Sequence, residues 1–305
     1  MGFVNGKSIV DNAKVHVGNH YVYNIDLKDF FPSIDQARVW GRLRNAPFNL
    51  NESQKRSELA NIIASLCCHE MEVERLDDSG SFVKVVKSVL PQGAPTSPTM
   101  SNIICERLDI RLAGVAKRFG LKYSRYADDI TFSSMHNVYQ KESDFLKEVE
   151  RIIKDQKFNI KEAKTRLQKQ GYRQEVTGLV VNEKTNVNKR YISQVRMWIY
   201  YWEQYGYEKA TSFFAPKYST DKGHTKQGKP SLENVLAGKL EYLKMVKGEK
   251  SSTYINLNER FKRLSSEKNP LNEVLSIWEK QGIEKAMEFY YSNATDMVQI
   301  NTFTI

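Results

Sequence analysis

The stretch Tyr123-Ser124-Arg125-Tyr126-Ala127-Asp128-Asp129-Ile130-Thr131-Phe132-Ser133 reads as strand, tight turn, strand. Aromatic and β-branched residues fill both arms, and two adjacent carboxylates stand at the turn. A hairpin of this kind lifts Asp128 and Asp129 to a strand end. Upstream, Tyr21-Val22-Tyr23-Asn24-Ile25 reads as a buried strand that ends at Asp26. Neighbouring strands would bring Asp26, Asp128 and Asp129 within reach of one pair of metal ions. Hard Mg²⁺ takes oxygen ligands and keeps some positions for substrate phosphates, so a few converging carboxylates suffice. Two Mg²⁺ ions held this way suit an in-line displacement at phosphorus, in which attacking and leaving oxygens both need positive charge.

Working outward, residues 35–70 show helical spacing through Val39, Leu43, Leu59, Ile62, Ile63 and Leu66. Phe82–Leu90 reads as a strand rising to Pro91, Ser97–Ala116 as a helix, and Phe145–Ile153 as another. Val176–Val181 with Thr185–Asn188 predicts a small hairpin. Beyond residue 190, Val195, Trp198, Trp202 and Tyr205 mark one helix and Leu240, Leu243 and Val246 a second. Residues 215–231 between them are polar and broken by Gly and Pro, which predicts a mobile loop. Residues 271–305 predict one or two short amphipathic helices through Val274, Leu275, Trp278, Ile283 and Met287. The expectation is an α+β domain followed by a helical one.

With 305 residues, 40% hydrophobic, the chain can bury a sizeable core, best as two compact units. No apolar run approaches the length of a membrane helix, and the N-terminus lacks a secretory pattern. Three cysteines, two of them adjacent at Cys67 and Cys68, give neither a disulfide framework nor zinc spacing. A cytoplasmic setting without a membrane partner is expected. The net charge of +10 is uneven: residues 1–187 carry +5, residues 188–270 carry +8 and residues 271–305 carry −3. A basic surface of this size fits a polyanion, most often nucleic acid, although charge alone does not decide it.

At these residues a family resemblance is plain. Tyr126-Ala127-Asp128-Asp129 resembles the YxDD box of reverse transcriptases, and Asp26-Leu27-Lys28-Asp29-Phe30-Phe31 their first carboxylate motif. Leu90-Pro91-Gln92-Gly93-Ala94-Pro95-Thr96-Ser97-Pro98 resembles their LPQGxxxSP motif, and the order along the chain is the family's. The resemblance implies a right-hand polymerase palm, an antiparallel sheet with packed helices, followed by a mostly helical thumb. It makes Asp26, Asp128 and Asp129 metal ligands and catalytic residues. Lys164 resembles the lysine of the fourth palm motif, which acts on the leaving pyrophosphate; a solvated surface lysine is the alternative. Phe31 stands where the family places an aromatic gate under the incoming sugar, next to Phe30, with a core position as the alternative. Gln92 and Gly93 would approach the nucleotide or template, and the backbone amide of Asp29 the triphosphate. Val176, Thr177 and Gly178 resemble the hairpin that steadies the primer end.

Asn12-Ala13-Lys14-Val15-His16 and Val176-Thr177-Gly178 resemble the NAxxH and VTG elements of bacterial retron reverse transcriptases. The resemblance spans most of residues 7–265. It implies an enzyme that copies a structured non-coding RNA template-primer into DNA from dNTPs in anti-phage defence, with an effector protein as a further partner. His16 is expected to be structural. Domain boundaries follow at 1–187 (palm with partial fingers), 188–265 (thumb) and 266–305 (acidic helical extension). In the thumb, Arg190, Arg196, Lys239, Lys244 and Lys247 are candidate phosphate contacts, and Trp198 and Trp202 are expected in the core. The family carries fingers ahead of the NAxxH element, so a separate fingers-bearing polypeptide is a further expected partner. Two readings stay open beside this one: a non-retron bacterial defence or group II intron-like reverse transcriptase, and a catalytically idle RNA-binding polymerase-like fragment.

Overall fold

The computed structural model describes residues 2–76, 81–222, 230–267 and 270–292. The chain divides into two compact units, Met1–Asn186 and Val187–Ile305. In the first, β1 (Tyr21–Lys28) is the central strand. It pairs antiparallel with β5 (Asp129–Ser134), which pairs with β4 (Lys122–Tyr126). The strand expected to end at Asp26 runs on to Lys28. The other edge of β1 is taken in turn by β6 (Asn159–Ile160) and β7 (Arg166–Lys169), two strands too short to show a period of their own.

Helices α4 (Ser97–Arg118) and α5 (Asp144–Asp155) supply the apolar cover for this sheet. Ile25, Leu27, Ile130 and Phe132 from the strands form one buried cluster with Leu108 and Leu112 of α4 and Phe145, Val149 and Ile152 of α5. Each such side chain contributes about 1.5–3 kcal/mol by leaving water, an upper estimate. The ring of Phe145 meets Phe132 edge-on at 5.1 Å. Ahead of the sheet, α1 (Ile9–Lys14) starts in a capping box of Ser8 and Asp11.

The expected helical span 35–70 holds two helices, α2 (Gln36–Leu43) and α3 (Gln54–Cys67). Its end belongs to β2 (His69–Leu76), which forms a two-stranded ribbon with β3 (Phe82–Val89). The alternation Glu70-Met71-Glu72-Val73-Glu74 is itself a strand pattern, and extending the helical span to residue 70 ran into its start. The small hairpin is tighter than expected: β8 (Glu175–Val176) pairs with β9 (Leu179–Val180), and residues 185–188 add only the bridge Val180–Asn186.

The second unit is helical. α6 (Lys189–Lys222) is broken at Gly206, whose φ of 77° and ψ of 168° leave helical space. Phe214 meets Trp198 edge-on at 5.2 Å, whereas sixteen residues of straight helix would hold them about 24 Å apart. The helix therefore doubles back at Gly206. Residues 215–222, expected in a loop, are the end of this helix; 223–229 lie outside the described residues. Trp198 and Trp202 are core, as expected. α7 (Leu232–Lys247) buries Leu232, Leu236, Leu240, Leu243 and Val246 along one stripe. α8 (Ser252–Glu267) brings Arg260 onto Glu203 in a two-pronged contact at 2.9 and 2.5 Å. α8 spans the boundary expected at residue 265, and α9 (Pro270–Gln281) and α10 (Ile283–Ser292) follow it. The side chain of Leu275 and residues 293–305 lie outside the described residues. Among the described residues no helix is long and apolar enough to cross a membrane.

Candidate active site

The antiparallel register of β1 and β5 puts Asp26 directly opposite Asp129. Asp128 occupies the two-residue turn between β4 and β5, and its carbonyl accepts from the Leu27 amide at 3.2 Å. The three carboxylates therefore reach one sheet end through pairing alone. They line a cleft of about 450 Å³ together with Lys164, Arg166, Thr177 and Gly178.

Lys164 arrives by a local irregularity. Asn24 pairs with Arg166 and Leu27 with Ile160, so residues 161–165 face only Ile25 and Asp26. The surplus folds into a 3₁₀ turn, Glu162–Lys164, anchored by the Lys161 amide on the Asp26 carbonyl at 2.8 Å. From there Lys164 Nζ donates to Asp26 Oδ2 at 2.9 Å. This hydrogen bond, with the charge of Asp26, raises the Lys164 ammonium further above its ordinary pKa. Burial, followed by the charges of Asp128 and Asp26, pushes the Asp129 carboxyl up to about 6. Burial likewise raises Asp128, with Asp26 adding to it.

The turn itself is held by a network that sequence reasoning missed. Ala127 carries a φ of 56°, a region that costs a residue with a Cβ about 1–2 kcal/mol. Buried Arg125 donates to the Ala127 carbonyl at 3.0 Å, and its other nitrogens grip Asp109 of α4 at 2.7 and 2.8 Å. Arg125 also reaches Asn102 Oδ1 at 3.2 Å, and Asn102 donates to the Gly2 carbonyl at 2.8 Å. Gly2 sits so close to the turn that a Cβ there would fall 2.7 Å from the Ala127 nitrogen. The available signal was an arginine at a strand position flanked by residues that face the core.

Not every expected residue joins the cleft. Phe30 is 4% exposed and stacks on Phe158 at 5.6 Å; its side chain is core, which corrects its assignment to substrate. Phe31 is half-buried, lying against Phe30 at 5.2 Å and Phe3 at 6.2 Å. Gln92 and Gly93 are exposed on the loop before α4, which Ser97 ties down through its hydroxyl on the Pro91 carbonyl at 2.7 Å. Asp29 is exposed at a φ of 46°, and its carbonyl accepts from Ser33. Thr177 and Gly178 line the cleft as the turn of the β8–β9 hairpin, while Val176 is fully buried and offers a primer no side chain. In the second unit Arg190 and Arg196 are exposed, Lys239 and Lys247 half-buried, and Lys244 pairs with Glu249 at 2.8 Å. His16 is structural: it bridges Ser133 and Ser124 at 2.7 Å each, and burial lowers its pKa to about 3.

Among the described residues no three His, Cys, Asp or Glu side chains close into a metal shell of their own. The donor set nevertheless fits a hard divalent cation. Its donors are all oxygens, and behind the burial that raises Asp129 and Asp128 stands the charge of the neighbouring carboxylates, which a cation would relieve. An open cleft leaves further coordination positions to water or phosphate.

A carboxylate cluster at the end of an antiparallel sheet, with a lysine over it, defines a polymerase palm. Residues 1–190 match the family "Reverse transcriptase (RNA-dependent DNA polymerase)", and the chain belongs to that family. Retron enzymes are among the curated relatives it resembles. It is 40% identical to the Retron Mx162 reverse transcriptase of Myxococcus xanthus, over 59% of this chain and 38% of that protein. It is 34% identical to the Retron Ec86 reverse transcriptase of Escherichia coli, over 66% of this chain and 55% of that one. The matches thus span about half the length of these relatives or less. Among solved structures, a telomerase of Candida albicans aligns with 92% of this chain and 53% of its own, at 10% identity and TM-score 0.43.

Proposed function

We propose that this chain is the polymerising part of a retron-type reverse transcriptase, which extends a primer with deoxynucleotides on a structured RNA template. The observation that carries the reading is the convergence of Asp26, Asp128 and Asp129 on one cleft with Lys164 above Asp26. Kinship to retron enzymes supports the choice of RNA template and DNA product. Participation in anti-phage defence beside an effector protein belongs to the same reading.

Two Mg²⁺ ions, when bound by Asp26, Asp128 and Asp129, supply positive charge to the attacking and leaving oxygens of an in-line displacement. The chain's own groups do the rest. Lys164 remains an ammonium and holds a donor at the cleft, suited to neutralise a departing pyrophosphate. Thr177 and Gly178 offer turn backbone to the primer end, and Gly178, at a φ of 79°, leaves nothing within 4 Å of where a Cβ would stand. Phe31, braced on Phe30, gates the sugar: a ring against C2′ leaves no room for a 2′-hydroxyl. Gln92 and the Asp29 amide receive the nucleotide. Arg190, Arg196, Lys239, Lys244 and Lys247 grip the duplex backbone.

The decisive measurement is Mg²⁺-dependent dTMP incorporation on poly(rA)–oligo(dT). Supplied with a fingers-bearing polypeptide, the parent chain should incorporate, and Asp26→Asn or Asp128→Asn should fall to background while RNA affinity stays within about twofold. Removing one ligand of a metal pair withdraws several kcal/mol from the transition state. Incorporation near the parent rate in either variant would remove the metal-site reading, and an inert parent that still binds RNA would favour the idle polymerase-like alternative.

A further inference from the structure

The second unit carries a cavity that phosphate contacts alone do not explain. Tyr191 on the first turn of α6, Tyr218 near its end and Tyr242 on α7 line a space of about 580 Å³ with Gly238 and Lys239. Tyr191 and Tyr242 stand 5.3 Å apart between centroids, with planes inclined at 51°. The Tyr191 hydroxyl donates to the Lys239 carbonyl at 2.9 Å, which fixes that wall. Lys239 Nζ lies 4.6 Å from the Tyr191 centroid. Tyr218 and Lys239 also border an adjoining recess of about 290 Å³, to which Arg190, Lys217 and one carboxylate, Asp221, contribute, so that cations outnumber the acid.

Gly238 gives the cavity its opening. Glycine inside a helix is destabilising relative to alanine, yet a Cβ at Gly238 would meet nothing within 4 Å. Among the described residues no neighbour requires the glycine, and its absence of side chain leaves the space beside the Tyr191–Tyr242 pair clear. Aromatic walls suit a flat ring; cations at the rim and in the adjoining recess suit phosphate. A nucleotide in a bound strand combines the two. A paired duplex presents phosphates but keeps its base faces stacked, so the ring that enters must come from an unpaired position.

We propose that this cavity takes one unpaired nucleotide of a bound strand, its base among Tyr191, Tyr218 and Tyr242 and its phosphate at Lys239. Arg190 and Lys217 follow the backbone into the adjoining recess. The proposal rests on the reading of this unit as one that grips nucleic acid, and adds a base-dependent contact to the backbone grip.

Fluorescence anisotropy with the full chain tests it, using three octamers of equal phosphate count: uridine, thymidine and abasic deoxyribose. The parent should bind the uridine or thymidine octamer roughly tenfold more tightly than the abasic one, the scale of one base stacked on aromatic side chains. Gly238→Leu fills the cavity while improving helix propensity, so the fold should hold. It should bring the base-bearing octamers to the abasic affinity and leave abasic binding and its salt dependence unchanged. Tyr242→Leu should do the same. Whether uridine or thymidine shows the larger loss tells an RNA strand from a DNA strand. Equal parent binding of all three octamers, or discrimination that survives Gly238→Leu, would overturn the cavity assignment alone. No binding of any octamer would overturn the grip reading and the cavity with it. Neither result touches the carboxylate cleft, because the assay contains no metal and no dNTP.

Discussion

Three residues around the carboxylates hold positive φ without being glycine: Asp29 at 46°, Ala127 at 56° and Thr177 at 47°. Thr177 is the most unusual, since β-branching makes that region a genuine outlier. Strain of this kind persists where surrounding contacts over-determine it, and here Ser33, Arg125 and the Ile9 carbonyl hold the three in turn. Electrostatic strain sits beside it. The Asp129 pKa rises from an ordinary 3.8 to about 6, through burial first and then through Asp128 and Asp26. The folded chain thus binds this proton more tightly than the unfolded chain does. The resulting stability is complete below pH 3.8 and is lost as pH rises through 6, so at pH 7 the ionised carboxylate is a cost. Asp129→Asn should therefore stabilise the cation-free protein at pH 7 by on the order of 1 kcal/mol, after discounting for its solvent exposure. The gain should vanish near pH 4. Thermal unfolding in EDTA across this range measures it, and equal melting at pH 7 would mean that neither burial nor the neighbouring carboxylates penalise the ionised Asp129. Asp26, Asp128 and Asp129 were legible from sequence because a hairpin turn and a strand end are local features. The charge of their surroundings was not, because burial is a property of the packed sheet.

At the scale of elements, what was legible followed periodicity. α4, α5 and the β4–β5 hairpin carry clean apolar spacing, and each formed close to its expected span. β6 and β7 did not, because strands of two and four residues, Asn159–Ile160 and Arg166–Lys169, take their conformation from the edge of β1 and not from their own pattern. The 3₁₀ turn that carries Lys164 over Asp26 exists because of that mismatch in pairing. Arg125 is a tertiary residue in the same sense. It joins β4, α4 and the turn, so its part in holding Asp128 appears only once those elements meet. Arg125→Met should destabilise the first unit by about 3 kcal/mol, because it leaves Asp109 without its principal partner and frees the Ala127 carbonyl. Asp109→Asn, which keeps a hydrogen-bond acceptor, should cost less. A positioning role makes a second demand: Mg²⁺ should raise the melting temperature of the parent at pH 7, and Arg125→Met should lose most of that rise. Were that rise retained in a folded Arg125→Met protein, the network would serve the fold and not the turn.

Across the whole molecule, charge and chemistry separate. The carboxylates and the cleft belong to Met1–Asn186, whereas residues 188–270 carry the strongest basic excess, at +8. If that excess grips phosphate backbone, affinity must fall with salt through counterion release, with a log–log slope of about −0.9 per duplex phosphate contact. Lys239 and Lys247 lie on α7, and Lys244 between them is drawn to Glu249, which raises its pKa. That ion pair is exposed and so weak, yet it gives Lys244 an alternative to phosphate. Lys239→Gln with Lys247→Gln should reduce the magnitude of the slope for an RNA–DNA hybrid by about two. Lys244→Gln alone should reduce it by less than one full contact, because Glu249 competes for that ammonium. Affinity measured between 50 and 300 mM KCl provides the slope, and Asp128→Asn serves as the control, because a change confined to the cleft should leave it unmoved. A slope unchanged in the double variant would mean that this face of α7 does not meet the backbone. The basic excess would then act through Arg190 and Arg196, which the corresponding glutamine pair would reveal in the same titration.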